Sequence, residues 1–240
     1  MMKLNRTGVF AAMLLVASLA PMALAQTPVK LRFQSAYPAS GLAYENSKFL
    51  VARIRALSGG KLQIDMFPPG AVVPAFEVLD AVHKQVVDGA HSSSAYWLGK
   101  NRASGLFSPT PGCPFGMDMI DYMGWIYDGG GLALYAEMYQ KEMKRNVVVL
   151  PLTSMAYQPL GWFKTPVKNW DDLKGRKCRL TSFTAEVFGR AGVKPVNLPG
   201  GEIVPAGQRG VIDCAEFIGP AEDMRIGFHT VWKHLYMPSI

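Results

Sequence analysis

The stretch from Lys174 to Pro220 limits the possible folds more than any other part of the chain. Two strand-like runs there each end on a charge: Arg179 closes Lys177–Leu180, and Glu216 closes Val211–Ala215. Between them a Gly200-Gly201 turn leads into a short helix that Gly210 stops. A fold that accommodates this order brings a cation and a carboxylate together at strand ends.

The preceding segments suggest the class of that fold. Lys30–Ser35 reads as a first strand, and Ser40-Gly41 opens a helix with Phe49, Leu50, Ile54 and Leu57 at roughly helical spacing. Gly59-Gly60 stops it. Leu62, Ile64 and Met66 then alternate with Gln63 and Asp65, the strand period, as far as Pro68-Pro69-Gly70. A second helix is expected over Pro74–Val87, with Phe76, Leu79 and Val86 inward and Asp88-Gly89 closing it. This β-α-β-α order argues for an α/β sheet with helices on its faces. Ala90–Ala95 reads as the next short strand; its small, hydroxylic side chains suit a strand end facing a cleft and suit a solvated loop equally. Residues 103–116 are rich in Gly, Pro and Ser and loop-like, and helices over about Met117–Tyr127 and Gly131–Lys144 follow. Val147–Leu150 has the continuous apolar pattern of a strand buried on both faces. Leu160–Phe163 is another strand, and Asp223–His234 is helix-like.

The N-terminus indicates a compartment. Lys3 and Arg6 precede an apolar core at Gly8–Leu19, and Ala23-Leu24-Ala25 supplies a small-x-small cleavage site, so residues 1–25 read as an export signal. The apolar run is shorter than the ~18 residues of a membrane span. Removing the signal takes the formal charge from +7 to +5. That mild, scattered basicity, with no Lys/Arg run and no zinc-finger spacing, argues against a nucleic-acid partner but leaves attraction of anionic solutes open. Cys113, Cys178 and Cys214 would allow one disulfide in an oxidising compartment. Each sits among apolar neighbours, the setting of buried free cysteine, and the sequence assigns no pairing.

Motifs of catalysis are missing. There is no G-x-S-x-G, no H-E-x-x-H and no P-loop, and His83, His91, His229 and His234 fall at no familiar zinc spacing. An enzyme is therefore not expected, and the charges at the two strand ends read as a site that holds a small solute.

The order of short phrases carries a resemblance. YWLGKN (Tyr96–Asn101), PFGM (Pro114–Met117), YDGGGLALY (Tyr127–Tyr135), QPLGWF (Gln158–Phe163), DDLKGRKCRL (Asp171–Leu180), LPGGEI (Leu198–Ile203), QRGVIDCAEFIGP (Gln208–Pro220) and GFH (Gly227–His229) succeed one another as in a known family. From about Leu31 to Pro238 the chain resembles the solute-binding proteins of tripartite ATP-independent periplasmic (TRAP) transporters, closest to the branch that binds 2-oxo acids and related monocarboxylates. The resemblance implies a two-lobed periplasmic-binding α/β architecture of type II-like form. Lobe 1 would span 26–152 and lobe 2 153–215, with 216–240 returning towards lobe 1. It also implies a periplasmic protein that hands its solute to TRAP permease subunits, and a homodimer in full-length relatives. Mature relatives are longer, so the second lobe and the C-terminal helices are expected to be incomplete and the stability marginal.

The resemblance also assigns residues. Arg179 matches the carboxylate-binding arginine, whose planar paired donors a carboxylate accepts bidentately. Gln158 and Glu216, with the main-chain oxygen of Phe217, match the metal ligands; this hard oxygen set suits Na⁺ or Ca²⁺. Tyr96 and Phe115 are candidates for walling the pocket. From the residues alone, each has a plainer role: a structural ion pair for Arg179, a backbone-bonded amide for Gln158, a solvated helix cap for Glu216, and packing for the aromatics. Phe217 stands where the family commonly has Trp, and Thr181-Ser182-Phe183-Thr184 where it usually has a Gly-rich turn. A sensing module or a remnant that binds nothing would share the same sequence features.

Overall fold

Short strands linked through helices build two separate sheets in the computed structural model, which describes residues 27–108, 116–152, 155 and 158–239. Residues 1–25, read above as an export signal, and Cys113 and Phe115 lie outside these residues. Val29–Ser35 (β1), Leu42–Leu57 (α1), Leu62–Phe67 (β2), Val78–His83 (α2) and Gly89–His91 (β3) make the first sheet and its crossovers. Its order is β2-β1-β3, and β1 runs parallel to both neighbours, which is why helices must intervene. Met119–Tyr127 (α3) and Gly131–Glu137 (α4), the latter continued by a π-helical turn at Met138–Glu142, pack beside it. Val78, Trp97, Phe107, Ile126, Met138 and Tyr139 fill the core between them.

The second sheet takes Pro159–Phe163 (β4), Lys177–Arg179 (β5), Lys194–Val196 (β6), Cys214–Ala215 (β7) and His234–Ser239 (β8). Ser182–Arg190 (α5) and Gly200–Gln208 (α6) connect its parallel strands, and Pro220–Arg225 (α7) and Phe228–Val231 (α8) lead to β8. The order is β6-β5-β7-β4-β8, with β5 parallel to β6 and β7, and β4 antiparallel to β7 and β8. Because β5 and β7 are parallel, their C-terminal ends, and so Arg179 and Glu216, lie at the same edge. Trp162, Ile203, Ile212, Phe228 and Trp232 form one core beneath this sheet. Tyr37, from just beyond β1, inserts into it and joins the two sheets.

Several expectations are corrected. In α1 the helical spacing holds, but Phe49 and Leu57 face outward at 71% and 77% exposure; Tyr44 and Ser47 are the buried residues. The second helix stops at His83. Gln85 adopts φ 59°, and the guanidinium of Arg32 ties down the Val86 carbonyl at 2.7 Å, leaving the Val86 side chain exposed. The strand expected over Ala90–Ala95 ends at His91, and Ser94–Trp97 is a 3-10 turn capped by Ser93. Val147–Leu150 has no strand partner among the described residues: Val147 and Val149 pack on the first core while Val148 and Leu150 point out. Asp223–His234 is not one helix, because Gly227 at φ 96° breaks it and the chain passes into β8. Gly207, costly in a helix by propensity, is required by packing: a Cβ there would lie 2.5 Å from the Trp232 ring. Cys178 and Cys214, to which the sequence assigned no pairing, are register partners on β5 and β7 joined by a disulfide, with a Cα–Cα distance of 4.5 Å.

Pro220–Arg225 reaches the first sheet's helix. Glu222 accepts the Leu42 N–H at 2.6 Å, capping α1, whose own N-cap Gly41 offers no side chain. Arg225 donates to the Ser40 carbonyl and pairs with Glu45.

Candidate functional site

Arg179 and Glu216 are each 1% exposed. The Arg179 guanidinium donates through Nη1 to both the main-chain oxygen and Oε1 of Glu216, each at 2.9 Å, and through Nε to the Leu198 carbonyl at 3.0 Å. It also stands 5.3 Å from the centre of the Phe217 ring. A buried ion pair gains attraction from the low dielectric but loses the hydration of both ions, so it persists only if the remaining donors and acceptors are satisfied. Here one is not. Glu216 Oε2 is buried with no hydrogen bond of good geometry, although the Thr181 N–H lies close to the carboxylate. Burial pushes the Glu216 carboxyl up to about 7, although Arg179 beside it acts in the opposite direction. Asp223, buried under the same edge, is pushed up to about 6 by desolvation while it accepts from Ile218 N–H, Gly219 N–H and Trp162 Nε1.

Gln158 reaches the same place from the residue before β4, its side-chain amide against the main-chain oxygen of Phe217. The amide's oxygen and nitrogen can exchange places by a rotation. With the oxygen turned inward, two neutral oxygens and a carboxylate would converge, an arrangement that repels unless a hard cation sits among them. The orphaned Glu216 oxygen and this oxygen-rich corner fit Na⁺ or Ca²⁺. Among the described residues no cluster of three His, Cys, Asp or Glu is present to hold a softer metal.

From the first sheet's side comes Tyr96. Its hydroxyl is buried with no hydrogen bond of good geometry and lies beside Arg179, Glu216 and the Gly200 N–H; burial raises its pKa. Arg179, Glu216, Phe217, Gln158 and Tyr96 are thus gathered in one neighbourhood, while Phe115 lies outside the described residues. Trp97 and Trp162, read as core, are each 5% exposed. His91 is packed: it bonds Ser47, lies 4.7 Å from the Tyr37 ring, and is lowered to about 4 by burial.

Other residues of this neighbourhood were not read from sequence. Tyr37 lies 6.3 Å from the Phe217 ring, with Tyr96 and Ser93 also close. No local pattern marks it, because its position depends on how the two sheets meet. The hydroxyls of Ser92, Ser104 and Ser182 are buried without a hydrogen bond of good geometry, and Ser94 lies beside the Tyr135 hydroxyl; Ser92 and Ser94 belong to the hydroxylic run that the sequence offered as suited to a cleft. Arg102, on a 3-10 turn at Arg102–Phe107, makes a two-pronged contact with Glu186 on α5 at 2.7 and 3.0 Å. Gly105 lets the Phe183 ring come close, since a Cβ there would lie 2.6 Å from it. A separate groove of about 680 Å³ between α1 and β2, lined by Lys48, Arg55, Gln63 and Asp65 among others, shares no residue with this site.

Comparison with known proteins matches residues 33–240 to DctP, bacterial extracellular solute-binding protein, family 7. A monocarboxylate 2-oxoacid-binding periplasmic protein of Nostoc sp. (strain PCC 7120) is 35% identical over 211 residues, 88% of this chain and 56% of that protein. A TRAP transporter solute-binding protein of Bordetella bronchiseptica RB50, solved as a dimer with copurified calcium and picolinate in one active site, superposes with a TM-score of 0.81. It is 34% identical, over 89% of this chain and 62% of that one. One from Pseudoalteromonas atlantica T6c, with bound sodium and pyruvate, gives 0.79 at 28% identity, over 88% and 63%. The chain therefore spans between about half and two thirds of the length of these relatives. Their two-lobed architecture is the fold described above, and the chain belongs to family 7 of the bacterial extracellular solute-binding proteins.

Proposed function

We propose that this chain captures a small 2-oxo or 2-hydroxy monocarboxylate together with Na⁺ or Ca²⁺ in the periplasm and delivers it to a TRAP-type permease. The observation that carries the proposal is the buried Arg179–Glu216 pair, converging from parallel strand ends with a carboxylate oxygen and the Tyr96 hydroxyl left short of well-formed hydrogen bonds. Such a site is incomplete on its own. Arg179 can turn its paired donors from Glu216 to a solute carboxylate. Gln158, Glu216 and the Phe217 carbonyl would hold the cation, which supplies positive charge between Glu216 and the incoming acid. Tyr96 donates or accepts from the first sheet's side. The relatives' calcium with picolinate and sodium with pyruvate support this pairing of cation and acid.

Capture and release follow from closure of two lobes, divided near residue 152, around a solute that both touch. The chain binds rather than transforms: Arg179 and Glu216 orient and neutralise, and neither faces an activated nucleophile. Export by residues 1–25 places it in the periplasm, where processing leaves Gln26 as the first residue.

Calorimetric titration of pyruvate and longer 2-oxo acids, with and without CaCl₂ or NaCl, tests the proposal. The expected outcome is cation-dependent binding that Arg179→Ala abolishes. If Arg179→Ala binds as well as the parent, the assignment fails.

A further inference from the structure

We propose that the Cys178–Cys214 disulfide is the positioning element of the solute site, holding the strand ends that carry Arg179 and Glu216 in register while Arg179 exchanges partners. The inference rests on reading those two residues as the site.

Few other bonds do this work. β5 has three residues and β7 two. At the end of their seam away from the site, Asp213 N–H donates to the Lys177 carbonyl at 2.7 Å and its carboxylate accepts from Lys177 N–H at 2.9 Å. Beyond the ladder pairs Cys178–Cys214 and Arg179–Ala215, the backbone bond at the site end, from Glu216 N–H to the Arg179 carbonyl, is 3.4 Å long. Side-chain ties there include the donations of Arg179 Nη1 to Glu216 and the approach of the Thr181 N–H to the Glu216 carboxylate. Nη2 is free to meet a bound carboxylate, but one held by paired donors across Nη1 and Nη2 shares Nη1 with these bonds, since Nε is already committed to Leu198. Paired binding of this kind weakens the side-chain contacts that help keep the two strand ends apposed and leaves the short ladder and the disulfide to hold them.

The disulfide lies one residue before Arg179 and two before Glu216, and it joins the residues that face each other in the register. Its cysteines are 3% and 1% exposed, so thiol attack requires the strands to open first. Its formation removes two electrons and two protons from the thiols, taken up by an oxidised thiol–disulfide donor of the export compartment. Dithiothreitol reverses the exchange.

The test uses the full mature chain. Peptide mapping without reductant is expected to recover Cys178 linked to Cys214. Pyruvate is then titrated in CaCl₂ into the oxidised protein, the dithiothreitol-reduced protein, and Cys178→Ala/Cys214→Ala, with hydrogen exchange followed at Leu180, Thr181, Glu216 and Phe217. Expected are affinity weaker by about tenfold in the last two samples, faster exchange at those four amides with α1 unchanged, restoration on reoxidation with glutathione disulfide, and no response of the double variant to reductant. A stabilising crosslink alone would lower the melting temperature and leave affinity and local exchange untouched, which overturns the proposal, as does recovery of both thiols free. Should the oxidised protein not bind pyruvate, the functional reading fails and the exchange rates alone decide the positioning role.

Discussion

The two sheets meet the site with opposite chemistry. The first sends aromatic and hydroxyl groups: Tyr37, Tyr96 and the serines of residues 92–94, none of them formally charged. The second sends Arg179, Glu216 and, just beneath, Asp223, all buried. One wall shapes and the other attracts. On the proposed reading the difference assigns most of the affinity to the charged wall: desolvated charges gain or lose several kcal/mol when a partner changes, whereas a neutral hydroxyl contributes about 1 kcal/mol. Damage should therefore be graded by sheet.

The largest effect belongs to the charged wall. Arg179→Ala leaves Glu216 buried without its cation, a loss of roughly 3–5 kcal/mol by the usual cost of breaking a buried pair, and abolishes solute binding. Arg179→Lys should keep more of the stability but little of the affinity, because an ammonium cannot present the paired donors. Chemical denaturation alongside titration separates the two losses. Equal affinity in parent and Lys variant would contradict a bidentate role.

The pH dependence comes next. Glu216 titrates at about 7 in the folded chain against an ordinary value of 4.5. A raised carboxyl favours the folded state when protonated. Its contribution is therefore fully present below about 4.5 and is lost as pH rises through 7, the reverse of a salt-bridged surface carboxylate. Asp223, raised to about 6, adds in the same direction at lower pH. A cation needs the ionised form, so calcium affinity should fall by about tenfold between pH 8 and pH 6, and the thermal shift it produces should shrink in step. Glu216→Gln should flatten both curves.

The same division explains what the sequence could reveal. Arg179 and Glu216 were readable because each closes a strand-like run, and a Gly-bounded helix between those runs forces their ends to one edge. The facing side was readable only in part: Tyr96 was named, but Tyr37 arrives by crossing from β1 into the other sheet's core, a contact no local pattern encodes. Local period also failed to say which face of a helix is covered: α1 buries Tyr44 and Ser47, through bonds to the Met66 carbonyl and to His91, and leaves its apolar Phe49 and Leu57 outside. Propensity misjudged Gly207 for the same reason, since the Trp232 ring that excludes a side chain there is distant in sequence. The disulfide required knowledge of register, which two- and three-residue strands do not advertise.

On the neutral wall the effects should be smaller. Tyr96→Phe removes a buried hydroxyl that makes no hydrogen bond of good geometry, with the Gly200 N–H and Arg179 close by, so stability should change little. Affinity should fall by about 1 kcal/mol, roughly fivefold, through loss of one hydrogen bond to the solute. Calorimetry and a melting curve on the same preparation check both parts. A large drop in stability would mean that the hydroxyl already has a structural partner.

The smallest effect tests where the two walls touch away from the charges. Arg102 and Glu186 meet across the sheets with both prongs engaged, and the Phe183 ring lies under the Arg102 guanidinium at 5.5 Å. Both ions stand in solvent, where screening and side-chain entropy remove most of the attraction. Glu186→Gln should therefore leave stability nearly unchanged and speed solute release only a few-fold, with the difference vanishing at high salt. Gly105→Val acts on the same contact sterically: its side chain would occupy the space of the Phe183 ring, so this variant should speed release at every ionic strength. Stopped-flow release rates across a salt series distinguish the two. If Glu186→Gln outweighs Gly105→Val at high salt, then charge rather than fit closes this part of the cleft, and the separation into a shaping and an attracting wall does not extend to its rim.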